Sequence, residues 1–326
     1  MLTNKIKLAN LPTRIEHLDR LSGELGKNIY IKRDDYTGIE FSGNKIRKLE
    51  YCLKEALDQG ADTLITCGAV QSNHCRATVA AGVKLGLDSI LYLRSPVREA
   101  PEGNYFLDKV LGAEVRHITP SDYSERRQEI MEAAALELEA QGRKAYLIPE
   151  GASNAIGTWG YYNAFMEILD QEKELSLDFD TIVTALGSGG TYAGLHFANE
   201  IGGHGKKVYG VPIVMDSEYF KKRVGEIWQE FSSYFEKSYK MEAEDMLMLD
   251  GFAGRGYGLN TPEEMDFIRD LARKEGLILD SVYTGKAFKG FVESIEKKEF
   301  SDSKNILFIH TGGLFGLFSK KFEFDL

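Results

Sequence analysis

Short runs of β-branched and aromatic residues alternate with longer amphipathic stretches along almost the whole chain. The runs have the length and composition of buried strands, and the stretches have apolar positions three and four residues apart, as in helices. Helices are predicted at 44–60, where Gly60 is the stop signal, and from about Asn73 to Leu85. Strands are predicted at NIYIKRD (28–34), TLITC (63–67), SILYLR (89–94), EVRHI (114–118), KAYLIP (144–149), DTIVTAL (180–186), KKVYGVPIV (206–214) and NILFIH (305–310).

This alternation of strands and helices predicts an α/β protein whose mostly parallel sheet is covered by helices on both faces. In such sheets ligands bind beyond the carboxyl ends of the strands, where the loops lead into helix N-termini. Four of these loops are rich in glycine or small polar residues: GAVQSNH (68–74), EGASN (150–154), GSGGT (187–191) and TGG (311–313). We therefore expect the four loops to converge on one site.

The loop GSGGT (187–191) has the features of a phosphate site. Its glycines allow backbone N–H groups to turn inward, Ser188 and Thr191 add hydroxyl groups, and a helix follows. A simple tight turn between strand and helix is an equally good explanation of this loop taken alone. A dinucleotide site is disfavoured, because Tyr192 stands where the third glycine of GxGxxG is needed and no acidic residue closes the next strand. A phosphate monoester is therefore the favoured ligand.

The segment QSNH (71–74) lies between a strand and an alanine-rich helix. Taken alone, Ser72 is best explained as a helix cap and His74 as a structural residue. The functional alternative is that the same N–H groups and hydroxyl bind a substrate carboxylate.

Two lysines compete for the role of a reactive amine. Lys45 is predicted in the first turn of a helix, where a second positive charge is disfavoured and the pKa of the amine should fall. Lys286 follows Gly285 at another predicted helix start, so physical reasoning alone leaves both open. Taken alone, Lys45 is better explained as a solvated surface lysine. Arg47 and Lys48 are predicted to be ordinary charges on the helix surface.

Composition narrows the class of protein. The chain has 326 residues, enough for one large α/β domain or two interleaved ones. Its net charge of −10 argues against a nucleic-acid partner. Three cysteines without a CxxC pair indicate a reducing compartment and no metal site. There is no signal peptide at the N-terminus and no stretch of the ~20 apolar residues that a membrane helix needs, so we expect a cytoplasmic protein without membrane contact.

With these loops identified, seven ordered motifs resemble those of the D-cysteine desulfhydrase and 1-aminocyclopropane-1-carboxylate deaminase family. The resemblance runs from Leu11 to about Gly316. It implies fold type II of the pyridoxal-phosphate enzymes, with a larger cofactor-binding domain (1–47 and 156–326), a smaller domain (48–155), pyridoxal 5′-phosphate as cofactor and a homodimer. The motifs are NKIRKLEY, QSNHCRATVAAGVKLGL, IPEGASNAIGTWGY, GSGGTYAG, GRGYG, DSVYTGKA and FIHTGG.

The resemblance also implies roles for matching positions. Lys45 corresponds to the Schiff-base lysine, and Ser72, Tyr257 and Tyr283 to further catalytic residues. The residues expected to bind substrate are Gln71, Ser72, Asn73, His74, Tyr257 and Tyr283. Those expected to bind the cofactor are Lys45, Asn73, Gly187, Ser188, Gly189, Gly190, Thr191, Thr284 and Thr311.

Two positions favour the desulfhydrase branch of this family. Thr284 matches the position facing the pyridine nitrogen, where the deaminases carry glutamate, and Thr311 stands where they carry leucine. A neutral hydroxyl makes the pyridine ring a weaker electron sink. The β-elimination of sulfide needs a weaker electron sink than the opening of a cyclopropane ring does.

The expected reaction is α,β-elimination from a small amino acid, with D-cysteine giving pyruvate, hydrogen sulfide and ammonia. An L-cysteate sulfo-lyase is an alternative, since Arg255 could recognise a sulfonate if it is not simply a solvated loop charge. Deaminase and D-serine dehydratase-like activities are others. The motif GSGGT, taken alone, would also permit a third hypothesis. In that case the protein has no pyridoxal phosphate and either binds a dinucleotide or is not an enzyme.

Overall fold

The strands form one sheet of six and one of four in the computed structural model, which describes residues 4–95 and 100–326. The larger sheet has the order β1-β2-β10-β7-β8-β9 and the smaller β5-β4-β3-β6. The strands are β1 (Ile15–His17), β2 (Asn28–Lys32), β3 (Thr63–Ala69), β4 (Asp88–Arg94), β5 (Glu114–Ile118), β6 (Ala145–Leu147), β7 (Thr181–Leu186), β8 (Lys207–Pro212), β9 (Leu247–Met248) and β10 (Asn305–Ile309).

Neighbouring strands run parallel, except that β1 pairs antiparallel with β2. This confirms the mostly parallel α/β fold, and each of the eight predicted strands is present. The sequence pattern missed β1 and β9, because strands of three and two residues are too short to show a period.

Helices connect the strands, and their ends follow local chemistry. Helix α3 is capped by Ser72, whose hydroxyl accepts a hydrogen bond from the N–H of Cys75 at 3.1 Å. The α-helices are α1 (Asp19–Leu25), α2 (Asn44–Asp58), α3 (Asn73–Lys84), α4 (Gly103–Val110), α5 (Pro120–Glu125), α6 (Arg127–Glu139), α7 (Ala155–Leu175), α8 (Gly190–Gly202), α9 (Ser217–Phe231), α10 (Pro262–Glu275), α11 (Thr284–Glu296) and α12 (Leu314–Leu317).

Apolar side chains cover both faces of each sheet. In the larger sheet, Ile182 faces the cluster that contains α7 and α8, and the next residue, Val183, faces the cluster of α10 and α11. In the smaller sheet, Leu64 packs towards α2 and α3, while Ile65 packs towards α6. Alternate residues of a strand point to opposite faces, so a strand buried on both sides reads as a continuous apolar run.

The smaller sheet is formed entirely by residues between Thr63 and Leu147, and strands before and after that segment form the larger one. This arrangement is compatible with the expected pair of interleaved domains, whose exact boundaries stay a prediction. In the described part of the chain, no helix combines the length and apolar character needed to span a bilayer.

Candidate active site

A cavity of about 210 Å³ lies at the carboxyl ends of strands from both sheets. All four predicted loops contribute to its wall, which confirms that they converge. From these loops the lining residues are Ala69, Ser72, Asn73, His74, Glu150, Gly151, Gly187, Ser188, Gly189, Thr191, Thr311 and Gly312.

Lys45 lines this cavity from the first turn of α2. Its Nζ donates to Asn44 Oδ1 at 2.9 Å, and Asn44 Nδ2 donates to Thr191 Oγ1 at 2.9 Å. Burial lowers the pKa of the Lys45 amine to about 8, although the carboxylates of Asp280 and Glu150 act in the opposite direction. A large fraction of this amine is therefore neutral near pH 8 and able to act as a nucleophile or a base.

Lys286 is not part of the cavity wall. Its Nζ donates to the carbonyl oxygens of Ala253, Gly256 and Leu259 at 2.8–3.0 Å. All three of its donors are thus used to hold the loop that carries Tyr257. Between the two candidate lysines, the geometry favours Lys45.

The loop 187–191 is supported from behind by Ser153, which sequence reasoning did not single out. Ser153 Oγ accepts a hydrogen bond from the N–H of Gly190 at 3.2 Å and lies 2.8 Å from Ser188 Oγ. Gly190 itself is not among the lining residues. Gly189 has φ +94°, a conformation that favours glycine, and it turns the chain into α8. The signal that could have identified Ser153 was its place in EGASN, one of the four converging loops.

Lys48 lies behind the same loop, with Nζ 3.2 Å from Ser153 Oγ. It is fully buried, so the prediction of a surface charge is wrong. Burial lowers the pKa of its amine well below the usual value, and the nearby Lys45 acts in the same direction. An anion bound on the glycine loop would offset this cost, because it would sit close to the buried amine.

The same correction applies to Arg47, which is 2% exposed. Its guanidinium bonds Asp34 Oδ1 at 2.8 Å and both oxygens of Glu167 at 2.9 Å. Lys32 also bonds Glu167, at 2.6 Å. Arg47 and Lys48 lie in the part of α2 that α7 and α3 cover, and the exposed residues of this helix are in its last turns.

Three of the four QSNH residues, Ser72, Asn73 and His74, line the cavity. Gln71 does not, because its side chain bonds the N–H of Asn104 and the carbonyl of Glu102. The helix-cap explanation of Ser72 is confirmed, and the same residue lines the cavity.

His74 is held in place by Thr66, whose Oγ1 lies 2.9 Å from Nε2 of the imidazole. Burial lowers the pKa of His74 well below its usual value, and the positive charges of Lys45 and Lys48 add to the effect. The ring is therefore neutral, as expected of a structural histidine.

Tyr257 and Tyr283 face each other on the cavity wall, with their phenolic oxygens 2.8 Å apart. The amine of Lys45 is 5.8 Å from the centre of the Tyr283 ring. Burial raises the pKa of both phenols, so both stay protonated near neutral pH. The pair can deliver a proton into the cavity beside the lysine.

Thr284 is fully buried and lies behind the cavity wall. Its Oγ1 donates to Asp280 Oδ1 at 2.6 Å and accepts from the N–H of Asp280 at 2.8 Å. Thr311 does line the cavity, as predicted, and its carbonyl accepts the N–H of Asn44 at 3.1 Å.

Two charged residues of the wall were not predicted. Arg94, the last residue of β4, and Glu150 both line the cavity. Arg255, the cation that the sequence offered for substrate recognition, is exposed and outside the wall. Its proximity to Tyr257 in sequence was misleading, because Gly256 separates the two side chains with a φ of +115°.

Comparison with known proteins identifies the family of this chain. Residues 6–312 match the family model described as "Pyridoxal-phosphate dependent enzyme". The chain belongs to this family. It is 41% identical to the mitochondrial bifunctional D-cysteine desulfhydrase/1-aminocyclopropane-1-carboxylate deaminase of Arabidopsis thaliana, over 98% of this chain and 80% of that protein. It is 38% identical to a D-cysteine desulfhydrase of Klebsiella pneumoniae, over 97% of this chain and 95% of that protein.

Solved structures place the pyridoxal-phosphate enzyme in fold type II. A crystal structure of a deaminase homologue ("ACC deaminase homologue") has a TM-score of 0.90 and 40% identity, covering 98% of this chain and 95% of the other. A tomato threonine deaminase isoform shares the fold, with a TM-score of 0.63 and 18% identity over 94% and 80% of the two chains. The resemblance seen in the sequence is thereby confirmed at the level of the family and the fold.

The cofactor of this family, pyridoxal phosphate, fits the donor set of the cavity. An aldehyde needs a partly neutral amine, which Lys45 supplies, and a phosphate needs N–H and hydroxyl donors, which the loop 187–191 supplies. A Cβ on Gly190 would lie 2.7 Å from Ser153 Oγ, so the close backing of this loop depends on glycine. The residues on this cavity wall thus fit both the aldehyde and the phosphate of pyridoxal phosphate.

Proposed function

We propose that this enzyme removes the β-substituent of a small amino acid and releases pyruvate and ammonia, with D-cysteine as its preferred substrate. The observation that carries the proposal is the placement of Lys45 beside the Tyr257–Tyr283 pair on one wall. Elimination requires a base for the Cα proton and an acid for the leaving group, and this wall offers one of each kind.

Lys45 is the proposed base. Its lowered pKa leaves part of the amine neutral, so that a free Nζ can accept the Cα proton of a bound substrate. When bound, pyridoxal phosphate supplies the electron sink that stabilises negative charge at Cα. Asn44 holds Nζ at 2.9 Å and thereby fixes the direction from which the amine acts.

The substrate carboxylate is proposed to bind Ser72 and the adjoining backbone N–H groups of the segment QSNH (71–74). They lie at the N-terminus of α3, where backbone N–H groups and the helix dipole favour an anion. A carboxylate fixed at this end orients the Cα–H bond for removal by the lysine.

Tyr257 or Tyr283 is proposed to protonate the departing sulfide. Because the two phenols share one hydrogen bond, the loss of a proton from one is stabilised by donation from the other. The raised pKa of both keeps the proton in place until charge develops on the leaving group.

The environment of Thr284 supports the desulfhydrase over the deaminase activity. The resemblance puts glutamate at this position in the deaminases, but here a second carboxylate would stand beside buried Asp280, whose oxygens already accept the N–H groups of Val282, Tyr283 and Thr284. Like charges at this distance in a buried site are costly. The packing around residue 284 therefore suits a neutral hydroxyl.

The deaminase activity is the second candidate, because the Arabidopsis relative is named for both activities and the structure with a TM-score of 0.90 is titled a deaminase homologue. A substrate panel separates the possibilities. We expect kcat/KM to be highest for D-cysteine, with equal amounts of sulfide and pyruvate, when D-cysteine, L-cysteine, L-cysteate, D-serine and 1-aminocyclopropane-1-carboxylate are compared. A higher value for the cyclopropane substrate would establish the deaminase, and a higher value for L-cysteate the sulfo-lyase.

A further inference from the structure

Arg94 gives the cavity a positive charge that the mechanism above does not use. It ends β4 and pairs in register with Ala69, the last residue of β3. Its guanidinium carbon lies 5.3 Å from the ring centres of both Tyr123 and Tyr257. The rings of two tyrosines thus hold the cation at the wall.

The contacts of Arg94 differ from those of other arginines near the site. Arg76 bonds the backbone and hydroxyl of Ser42, and Arg223 bonds Glu226 and the carbonyl of Ser153. In contrast, Arg94 forms no ion pair with a carboxylate among residues 4–95 and 100–326, and the contacts of its guanidinium there are with the rings of Tyr123 and Tyr257. Within this described part of the chain, no carboxylate competes with a ligand for the N–H donors of this cation on the cavity wall.

The hydroxyl of Tyr123 is the second observation. This side chain is 5% exposed and lines the same cavity. Its oxygen makes no hydrogen bond of normal length within the described residues, although the carboxylate of Glu150 and the thiol of Cys67 lie near enough to affect it. Buried hydroxyl groups nearly always have partners, so an unpaired one on a cavity wall indicates a position for a ligand. Burial raises the pKa of this phenol, so it remains a donor.

These two groups lie on the side of the cavity where the leaving group is expected. Arg94 contacts the ring of Tyr257, and the Tyr257 hydroxyl bonds Tyr283, the proposed proton donor pair. The substrate carboxylate is already proposed to bind at the N-terminus of α3, so Arg94 is not needed for it. We propose that Arg94 and Tyr123 form a subsite that stabilises negative charge on the β-substituent, whether a cysteine thiol bound as its thiolate or a sulfinate or sulfonate, and so favours such substituents over ones that stay neutral. This inference rests on the proposed elimination.

Glu150 provides a contrary charge. It is the one carboxylate on the cavity wall in the described part of the chain, and it opposes the binding of any anion there. Replacing it should therefore act in the opposite direction to replacing Arg94. Substitutions of Arg94 and Glu150 should change the affinity for an anion in opposite directions, so the pair tests the role of charge more strictly than either substitution alone.

Aspartate and asparagine test the subsite without turnover, because they differ in the charge of the β-substituent and neither carries a leaving group. Their dissociation constants for the cofactor-loaded enzyme are measured by calorimetry, with both enantiomers of each. We expect aspartate to bind about tenfold more tightly than asparagine, as for one charge-assisted contact. R94Q should bring the ratio to about one, Y123F should reduce it in part, and E150Q should increase it.

R94K and R255Q are the controls. R94K keeps the charge and should retain part of the preference, whereas R255Q removes an exposed cation outside the cavity and should leave the ratio unchanged. Equal binding of the two amino acids by the parent would overturn the subsite. So would an R94Q variant that binds both more weakly by the same factor, since Arg94 would then serve their common carboxylate. Pyruvate release from the substrate panel tests the elimination separately, so either idea can fail without the other.

Discussion

The phenolic oxygens of Tyr257 and Tyr283 lie 2.8 Å apart on the cavity wall that also carries Lys45. The rings meet edge to face, with centres 5.7 Å apart. The pair joins α11, whose N-cap is Tyr283, to the loop held by Lys286. A proton moving through one hydroxyl therefore affects the other.

This coupling predicts a non-additive effect on rate. Y257F and Y283F should each lower kcat by about a hundredfold, the size of a general-acid contribution. The double variant should be little slower than the worse single variant, because both remove the same hydrogen-bonded unit. Pyruvate release measures the rates, and cofactor absorbance shows that loading is retained. Y209F, a tyrosine packed against Phe300 away from the cavity, is the control. If the two losses multiply, the hydroxyls act independently.

The assignment of Lys45 predicts the site of covalent attachment. Reduction of the loaded enzyme with borohydride should fix pyridoxal phosphate on the peptide containing Lys45, as peptide mass spectrometry would show. K45A should lose both this label and turnover, because Nζ of residue 45 is the amine beside the glycine loop. K54A, on the same helix but paired with Asp58, should retain both. A label on Lys48 or Lys286 would refute the assignment.

The parts of the site that the sequence predicted are those tied to strand ends. The four glycine-rich loops were located because each follows an apolar run of strand length, and parallel strands bring their carboxyl ends to one edge. Lys45 was identifiable for a similar reason, since SGNK (42–45) precedes a clear helical period.

The residues that the sequence missed depend on packing between distant segments. Arg47 and Lys48 were predicted to be surface charges because a helix usually has one exposed face, but α7 and α3 bury the part of α2 that carries them. Arg94 and Tyr123 come together only when β4 and α5 are placed in space. No local pattern marks either of them as part of a cavity.

The pKa of Lys45 predicts the pH dependence of cofactor attachment to the apoenzyme. The neutral amine is the nucleophile, so the attachment rate should rise with pH and level off above about 8, the value to which burial lowers this pKa. An unshifted lysine would keep gaining rate up to pH ~10. Stopped-flow absorbance after mixing with pyridoxal phosphate measures the rate, and a rise that continues beyond pH 9.5 would contradict the lowered pKa.

The buried charges beneath the site predict a large effect on stability. Asp34 is fully buried and accepts hydrogen bonds from Arg47 at 2.8 and 2.9 Å and from Tyr161 at 2.5 Å. D34A should lower the free energy of unfolding by about 3–5 kcal/mol, because it leaves much of the charge of a buried guanidinium uncompensated.

Urea unfolding followed by circular dichroism would measure this loss. D58A removes one partner of an exposed pair with Lys54 and should cost less than about 1 kcal/mol. Because Arg47 is two residues from Lys45, D34A should also weaken the binding of pyridoxal phosphate, whereas D58A should not. If D34A were no more destabilising than D58A, the cluster of Asp34, Arg47 and Glu167 would not be what holds the first turns of α2 in place.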